Sequence, residues 1–407
     1  MKKILVILPF ENIYPATNGG MLRCINILNQ LAKYFDVSVV IHQDINSFSK
    51  SYNEFPALAH LKIYSSFGSA INQRSYLSKL KNALRYRIIR RSFKGPADGN
   101  LLRYYNSLKR ALTSEKFDVV IPDTHSAIYC VPVIRRLNPC AKILFNAHNV
   151  ELNLARSAFK VGRINKQKLL LADKTDRDLY KLMDSIICCS EEDKESFLKL
   201  NENKLPVYVI PNGTDIPDKL SNETVLKDSP KEIIFCGSLW SIPNAEGIHW
   251  FCVNVFPLIK SMIPDVKLLI VGAGKLPEKY SIENNDSILL IGSVDETKSW
   301  YNKAAVSIVP LLTGSGTRLK ILEAMSLGVP VVSTSLGAEG ICYMDNGNII
   351  IADSPEKFAN SVVKLLFNKS ERIKLSEEGR KTAEEKYNWN IIGTYLKTIV
   401  EKDVSAC

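Results

Sequence analysis

The sequence has no hydrophobic run close to the 18 residues that a membrane-spanning helix needs, so it predicts no transmembrane segment. It has only five histidines, and its nine cysteines are odd in number and include no C-x-x-C pair. We therefore expect free thiols in a reducing compartment and no metal centre. The first hydrophobic run ends at Pro9 without a small-residue cleavage site, which is typical of a core strand and not of a signal peptide.

The composition is that of an ordinary globular protein. Its 407 residues are 46% hydrophobic and 23% charged, enough for two or three domains of roughly 150 residues each. Residues 1–213 hold 32 Lys and Arg against 18 Asp and Glu, whereas residues 214–407 hold 21 against 24. We therefore expect the first half of the chain to face an anionic partner.

Apolar runs rich in Ile and Val alternate with helical stretches, which is typical of parallel strands buried on both faces. Strands are predicted at Lys3–Leu8, Val37–His42, Phe117–Pro122, Lys142–Ala147, Ser185–Cys189 and Val207–Pro211, and again at Glu232–Cys236, Lys267–Val271, Ser287–Ile291, Val306–Leu311 and Pro330–Thr334. The predicted helices include Met21–Tyr34, Leu152–Met183, Asn244–Ser261 and Thr317–Leu327. Asn212–Pro230 has a linker composition. The sequence thus predicts an α/β protein of two doubly wound, Rossmann-like domains, residues 1–213 and 214–389.

Ligands of doubly wound sheets bind at the carboxyl ends of the strands, where one segment is especially rich in candidate ligands. It follows the strand Val306–Leu311, and small residues there let backbone N–H groups approach an anion at the start of a helix. Arg318 and Lys320 add full positive charges, and Glu323 can accept hydrogen bonds from ribose hydroxyls. The candidate diphosphate site comprises Gly314, Ser315, Gly316, Thr317, Arg318 and Lys320. The alternative is a glycine-rich turn before a solvated helix.

Three further strand ends carry candidate site residues. Gly19 and Gly20 precede the first helix, and Gly237 and Ser238 occupy the same position in the second domain. His148 stands where the strand Lys142–Ala147 ends. Each has a simpler interpretation, because glycine pairs often form turns and single histidines are often structural.

Two other motifs partly match the patterns of known binding sites. Gly272-Ala273-Gly274 begins a G-x-G-x-x-G pattern, but the third glycine is replaced by Pro277 and the dinucleotide fingerprint fails. Asp176 and Asp178 imitate a metal-binding Asp-x-Asp pair, but their place inside a long helical stretch predicts a solvated helix face. We therefore expect no metal dependence.

Taken together, these motifs resemble the retaining glycosyltransferases of family four, which have the GT-B fold of two Rossmann-like domains facing each other across a cleft. The resemblance rests on Gly19-Gly20, the His148 strand end, Ile210–Gly213, Phe235–Ser238 and, above all, Leu322–Val332. It implies a nucleotide diphosphate sugar as donor, no cofactor, and a final helix over residues 390–407 that crosses back onto the first domain.

The same resemblance implies residue roles. Glu323 matches the glutamate that holds the ribose, whereas Ser315 replaces the acid found eight positions earlier in the family. The family's Arg and Lys in the loop around Gly237 are absent, so Arg318 and Lys320 take over the diphosphate, and His148 contacts the donor sugar. The subtype resembles transferases of surface-polysaccharide synthesis.

Residues 73–94 form a basic arm without any acidic residue. Its cations are Arg74, Lys79, Lys81, Arg85, Arg87, Arg90, Arg91 and Lys94. Leucines and an isoleucine recur at helical spacing, which is typical of a helix on a membrane surface. A solvated helix that packs on the domain is the alternative; nucleic acid is not expected, because no recognition motif is present. Together with the resemblance, which implies a glycan or lipid-linked glycan acceptor, the arm predicts a cytoplasmic protein at the membrane face.

Three other function classes fit parts of the pattern. A nucleotide-sugar 2-epimerase would need several acids and histidines around the sugar, and only His148 is clearly placed. A non-catalytic nucleotide-sugar sensor stays open because of Ser315. A periplasmic binding protein conflicts with the free cysteines and the lack of a signal peptide.

Overall fold

The computed structural model describes the chain except residues 9, 11, 17, 68–99, 161, 163, 219–222, 229, 315 and 405–407. The chain divides into two compact units. Unit 1 comprises Met1–Pro211 together with Gly393–Cys407, and unit 2 comprises Asn212–Ile392. The segment with linker composition therefore belongs to unit 2. The basic arm and Ser315 lie outside the described residues.

Unit 1 is built on a seven-stranded parallel sheet. Its strands are β1 (Lys3–Ile7), β2 (Asp36–Ile41), β3 (Lys62–Ser65), β4 (Val119–Pro122), β5 (Lys142–Asn146), β6 (Ser185–Cys188) and β7 (Val207–Val209). They pair in the order β3-β2-β1-β4-β5-β6-β7. The order reverses between β1 and β4, so the loops after these strands flank the switch point where such sheets bind ligands.

Unit 2 repeats the plan with six parallel strands. They are β8 (Glu232–Cys236), β9 (Lys267–Val271), β10 (Ile288–Gly292), β11 (Val306–Val309), β12 (Val331–Ser333) and β13 (Ile350–Ile351). Their order is β10-β9-β8-β11-β12-β13, which places the switch point between β8 and β11. The predicted α/β class with two doubly wound sheets is confirmed.

Helices alternate with the strands, and most of them bury apolar residues. Those of unit 1 are α1 (Gly19–Tyr34), α2 (Ile45–Ser49), α3 (Asn100–Ser114), α4 (Val131–Leu137), α5 (Glu151–Lys160), α6 (Lys166–Asp178) and α7 (Glu191–Leu200). Those that follow are α8 (Ile242–Trp250), α9 (Phe256–Met262), α10 (Lys298–Tyr301), α11 (Leu319–Ser326), α12 (Pro355–Phe367), α13 (Lys369–Lys386) and α14 (Trp389–Val404). Among the residues that the structure describes, no helix is both long and apolar enough to cross a bilayer.

Two predicted helices differ from the structure. The single helix predicted over Leu152–Met183 is instead α5 and α6, and the chain between them contains Gly162 at φ +69°. A left-handed residue ends a right-handed helix, so the break falls there. The predicted helix Asn244–Ser261 is also interrupted, by a π-helical turn at Phe251–Val255.

Candidate functional site

The glycine-rich segment after β11 requires glycine for its backbone conformation. Gly314 and Gly316 have φ angles of +106° and +85°, in the left-handed region that other residues rarely adopt. The chain enters α11 at Leu319, with Arg318 at the N-cap position in a non-helical conformation. The helix therefore begins two residues later than predicted, and the two glycines and Thr317 lie in the loop before it.

Lys320 is the cation most firmly positioned at this switch point. Its Nζ donates to Asn244 Oδ1 at 2.7 Å and lies 4.3 Å from the centroid of the Phe235 ring. Asn244 is itself fixed, because its Nδ2 donates to the Ser238 carbonyl at 3.0 Å. Burial and, after it, the charge of Arg318 lower the pKa of Lys320 to about 7. A buried ammonium with so little compensating charge is suited to an anionic ligand.

Gly237 makes room for this lysine. A Cβ on Gly237 would lie 2.6 Å from Lys320 Nζ and 2.9 Å from Asn244 Nδ2, so any larger residue would displace both side chains. Gly272, at the end of the neighbouring strand, lets this loop pack closely, since a Cβ there would lie 1.9 Å from the Gly237 carbonyl oxygen. The incomplete G-x-G pattern therefore allows close packing of the loop after β8.

Arg318 lies beside the loop's first glycine. A Cβ on Gly314 would be 3.3 Å from Arg318 Nη2. Burial lowers the pKa of Arg318, and the charge of Glu339 partly opposes this shift. Thr317 Oγ1 is buried, and no hydrogen-bond partner for it is found within the described part of the chain. The guanidinium and this hydroxyl add donors near the lysine.

Glu323 lies one helical turn after Lys320. Thr297 Oγ1 donates to Glu323 Oε1, and the Tyr301 hydroxyl also bonds the carboxyl group. Burial raises the pKa of Glu323, although these two hydroxyls and Lys320 act in the opposite direction. The sequence did not reveal Asn244, Thr297 or Tyr301, because only tertiary packing brings them to α11.

In unit 1, His148 lies against the start of α1. Its Nε2 is 2.8 Å from Asp123 Oδ1, and a Cβ on Gly20 would be 3.3 Å from its Nδ1. Phe10 stacks on the imidazole with ring centroids 6.3 Å apart. Gly19 is the first residue of α1. The predicted residues Gly20 and His148 thus meet at the switch point of this sheet.

The side chain of Asp123 fixes the imidazole of His148. It follows β4 and is fully buried, and its Oδ2 accepts a hydrogen bond from Asn146 Nδ2 at 2.5 Å. Cys24 Sγ donates to Asp123 Oδ1 at 3.2 Å. Burial raises the pKa of Asp123, but His148 and the hydrogen bonds from Cys24 and Asn146 outweigh it and lower the pKa. Asp123 was not among the site residues predicted from the sequence, although its place at the end of β4, next to β5, is a usable signal.

The interpretation of Asp176 as part of a solvated helix face is wrong. Asp176 is fully buried; its Oδ1 lies 2.7 Å from His125 Nε2, and its Oδ2 accepts from the Leu152 amide at 2.8 Å. Asp178 instead pairs with Lys181 Nζ at 2.5 Å. The break between α5 and α6 folds α6 back on α5, which turns Asp176 inward. The two carboxylates therefore serve separate partners.

Both halves of the chain match known families. Residues 17–217 match the family described as Glycosyltransferase Family 4, and residues 230–368 match the one described as Glycosyl transferases group 1. An uncharacterized 44.6 kDa protein in the cps region of Klebsiella pneumoniae is 26% identical over 390 residues, covering 89% of this chain and 90% of that protein.

Two other proteins extend the comparison. The capsular polysaccharide biosynthesis glycosyltransferase CapM of Staphylococcus aureus is 27% identical over 233 residues, covering 53% of this chain and 60% of CapM. HepE from Anabaena, solved in complex with UDP-glucose, has a TM-score of 0.67 over 99% of this chain and 100% of HepE, at 12% identity. At that identity, the structural likeness shows the fold alone.

Proposed function

Because the chain belongs to the GT-B glycosyltransferases of family four, we propose that it transfers a sugar from a nucleotide diphosphate sugar, with retention of configuration. The observation that carries this proposal is the cluster of Lys320, Arg318 and Glu323 at the switch point of the second sheet. The UDP-glucose complex of HepE, a protein of the same fold, supports a nucleotide sugar as donor.

The cationic groups of unit 2 would hold the departing diphosphate. Breaking the sugar–phosphate bond leaves negative charge on the nucleoside diphosphate, and no acid needs to protonate it when fixed cations and amides stabilise that charge. Arg318 supplies a planar fork for phosphate oxygens and Lys320 a point charge. Amides of Gly314, Gly316 and Thr317, with Gly237 and Ser238 at the neighbouring strand end, complete the proposed donor site.

His148 is the proposed catalytic residue of unit 1, in contact with the donor sugar. We assign it no general-base role, because a leaving phosphate oxygen can accept the acceptor's proton in a retaining front-face attack. Since its Nε2 faces Asp123 at 2.8 Å, the neutral imidazole carries its proton there. Nδ1, on the side of Gly20, is then the atom that accepts a hydrogen bond from a sugar hydroxyl.

The acceptor is proposed to be a glycan or a lipid-linked glycan of surface-polysaccharide synthesis. CapM, a capsular polysaccharide biosynthesis glycosyltransferase, supports this assignment. The chain's basic first half is consistent with an acceptor presented at an anionic membrane on the cytoplasmic side.

Donor turnover by purified protein tests the proposal. UDP-, GDP-, ADP- and dTDP-sugars are supplied with and without acceptor, and released nucleoside diphosphate is measured in buffer containing EDTA. We expect one donor class to be consumed, because the cations of unit 2 replace a metal at the diphosphate. Binding without any turnover would instead indicate a sensor, and epimerised donor would indicate an epimerase. Loss of turnover in EDTA, restored by manganese or magnesium, would contradict metal independence.

Glu323→Gln is expected to weaken binding of the free nucleoside diphosphate by roughly 10- to 100-fold, because a hydrogen bond to a charged group contributes about 1.5–3 kcal/mol. Calorimetry with UDP or GDP measures the change. Glu377→Gln, an exposed acid on α13, is the matched control and should bind normally. Equal affinity in both variants would show that Glu323 does not bind the ribose.

The basic arm is expected to bind anionic vesicles. Each cation near such a surface contributes about 1 kcal/mol, and salt weakens the attraction over a screening length of about 8 Å. The test variant changes Arg85, Arg87, Arg90 and Arg91 to Glu. The control makes the same charge change at exposed lysines of α12 and α13, namely Lys357, Lys364, Lys374 and Lys381.

Co-sedimentation at low and high salt reads out this binding. The arm variant should remain in the supernatant, whereas the control should still pellet with anionic vesicles at low salt. Pelleting of both variants alike, or equal binding to neutral vesicles, would leave the arm as an ordinary solvated segment.

A further inference from the structure

We propose that Cys24, Asp123 and His148 form a binding site for Zn²⁺, contrary to the expectation from the sequence that the chain has no metal centre, and that the bound ion inhibits the transferase. The inhibitory part of this proposal rests on the function proposed above, whereas the binding part does not. The site lies in unit 1, at the meeting point of α1, the end of β4 and the end of β5.

The three candidate ligand atoms are already close together. His148 Nε2 lies 2.8 Å from Asp123 Oδ1, Cys24 Sγ lies 3.2 Å from the same oxygen, and the sulfur lies 3.8 Å from Nε2. Tetrahedral zinc with ordinary bond lengths would place such atoms roughly 3.4–3.6 Å apart. The three separations therefore have to change by about 0.2–0.8 Å to seat the ion, most of all the one between Asp123 Oδ1 and His148 Nε2.

The surrounding residues hold Asp123 and the backbone of His148 in place. Asn146 Nδ2 donates a hydrogen bond to Asp123 Oδ2, so Oδ1 is the oxygen that would bind the ion. Arg23 fixes Asn146 in turn, with Nη2 donating to its Oδ1 at 3.0 Å. Cys189 Sγ bonds the His148 carbonyl at 3.3 Å. Such outer contacts orient ligands and raise metal affinity.

The ligand set selects zinc over the hard cations. Thiolate and imidazole favour zinc, whereas magnesium and calcium prefer a shell of oxygens. The Cys24 thiolate and the Asp123 carboxylate together neutralise the ion's two charges, so no net charge is buried. Of the described residues, this trio is the only cluster whose Cys, His and acidic side chains meet in this way.

Binding would also alter His148. Zinc bonds Cys24 Sγ and His148 Nε2, and the thiol proton leaves to solvent. The proton on Nε2 moves to Nδ1, so the imidazole stays neutral. The nitrogen on the side of Gly20 then changes from acceptor to donor, so the hydrogen bond proposed for the sugar hydroxyl has to reverse its direction. We expect inhibition from this reversal, because it changes the geometry in which the donor sugar is held.

Cobalt(II) tests the site without reference to activity. The full-length protein is titrated with Co²⁺, and the thiolate-to-cobalt absorption band in the near ultraviolet is measured, followed by its displacement with Zn²⁺. Cys24→Ser should lose the band and bind zinc at least tenfold more weakly. Cys140→Ser, which alters an exposed cysteine, is the matched control and should behave as the unaltered protein does. Cys24→Ala serves as the second variant if the serine protein is misfolded by circular dichroism.

A band that persists unchanged in the folded Cys24 variant would overturn the site. For the regulatory part, zinc should inhibit transfer by the unaltered protein and by Cys140→Ser, while the Cys24 variant keeps its own zinc-free rate. Binding without inhibition would overturn the inhibitory role while leaving the metal site intact. Absence of any transferase activity would contradict the proposed function and would not affect the cobalt result.

Discussion

Lys320→Ala is expected to lower kcat/KM by roughly 30- to 1,000-fold, the equivalent of about 2–4 kcal/mol of lost transition-state stabilisation. The ammonium is buried and fixed by Asn244 at 2.7 Å, so no mobile side chain replaces it. Arg318→Ala is expected to cause a loss of the same order. Steady-state release of nucleoside diphosphate measures both.

Lys303→Ala is the control for these variants. Lys303 is an exposed lysine of the same unit, with its Nζ over the Trp300 ring at 4.1 Å. It should turn over normally, as surface substitutions usually change little. Normal turnover in both Lys320→Ala and Arg318→Ala would show that these residues do not bind the diphosphate.

The same lysine is expected to make donor binding depend on pH. Its pKa is lowered to about 7 in the free protein, and a bound diphosphate would raise it. Below pH 7 the amine is already protonated, so binding needs no proton. Above pH 7 binding must take one up, and affinity should fall by up to about tenfold per pH unit. Calorimetry with UDP between pH 7 and 9 should show this decline in the unaltered protein and a flat profile in Lys320→Ala.

Asp123→Asn is expected to lower kcat by roughly 10- to 100-fold, the usual cost of losing a group that orients a functional histidine. Aspartate accepts only and so keeps the proton on His148 Nε2, whereas the asparagine amide can donate to Nε2 and favour the other tautomer. Nucleotide affinity should not change, because the proposed diphosphate and ribose ligands all lie in unit 2.

A double-mutant cycle separates positioning from a general loss of stability. If Asp123 acts through the histidine, Asp123→Asn combined with His148→Ala should be no slower than His148→Ala alone. Asp178→Asn, an acid paired with Lys181 on the surface of unit 1, is the matched control. Additive losses would assign Asp123 a structural role only.

The two sheets could be predicted because their central strands are uninterrupted apolar runs. Glu232–Cys236 and Lys267–Val271 have the predicted bounds. Edge strands lack this signal: β3 reads Lys-Ile-Tyr-Ser and is partly exposed, and β13 has only two residues. Neither could be distinguished from a loop, because their pairing depends on the neighbouring strand and not on their own composition.

In the candidate site, too, some residues could be predicted from the sequence and others could not. His148, Gly237 and Lys320 follow strand ends and could be found from the order of the elements. Asn244 and Thr297 could not, because they lie on or next to other helices and reach the site only through packing. The loops of the site could thus be located from the sequence, but the side chains that hold its charged groups in place could not.

The return of the last helix to unit 1 has a consequence during translation. This helix buries Leu396, Ile399 and Val400, and it belongs to a unit whose other residues precede the whole of unit 2. At about 5–20 residues per second, the ribosome needs roughly 10–40 s to make the intervening 181 residues, from Asn212 to Ile392. During that interval the residues of unit 1 that pack against this helix stay uncovered, so we expect the nascent first unit to need chaperones until the helix emerges.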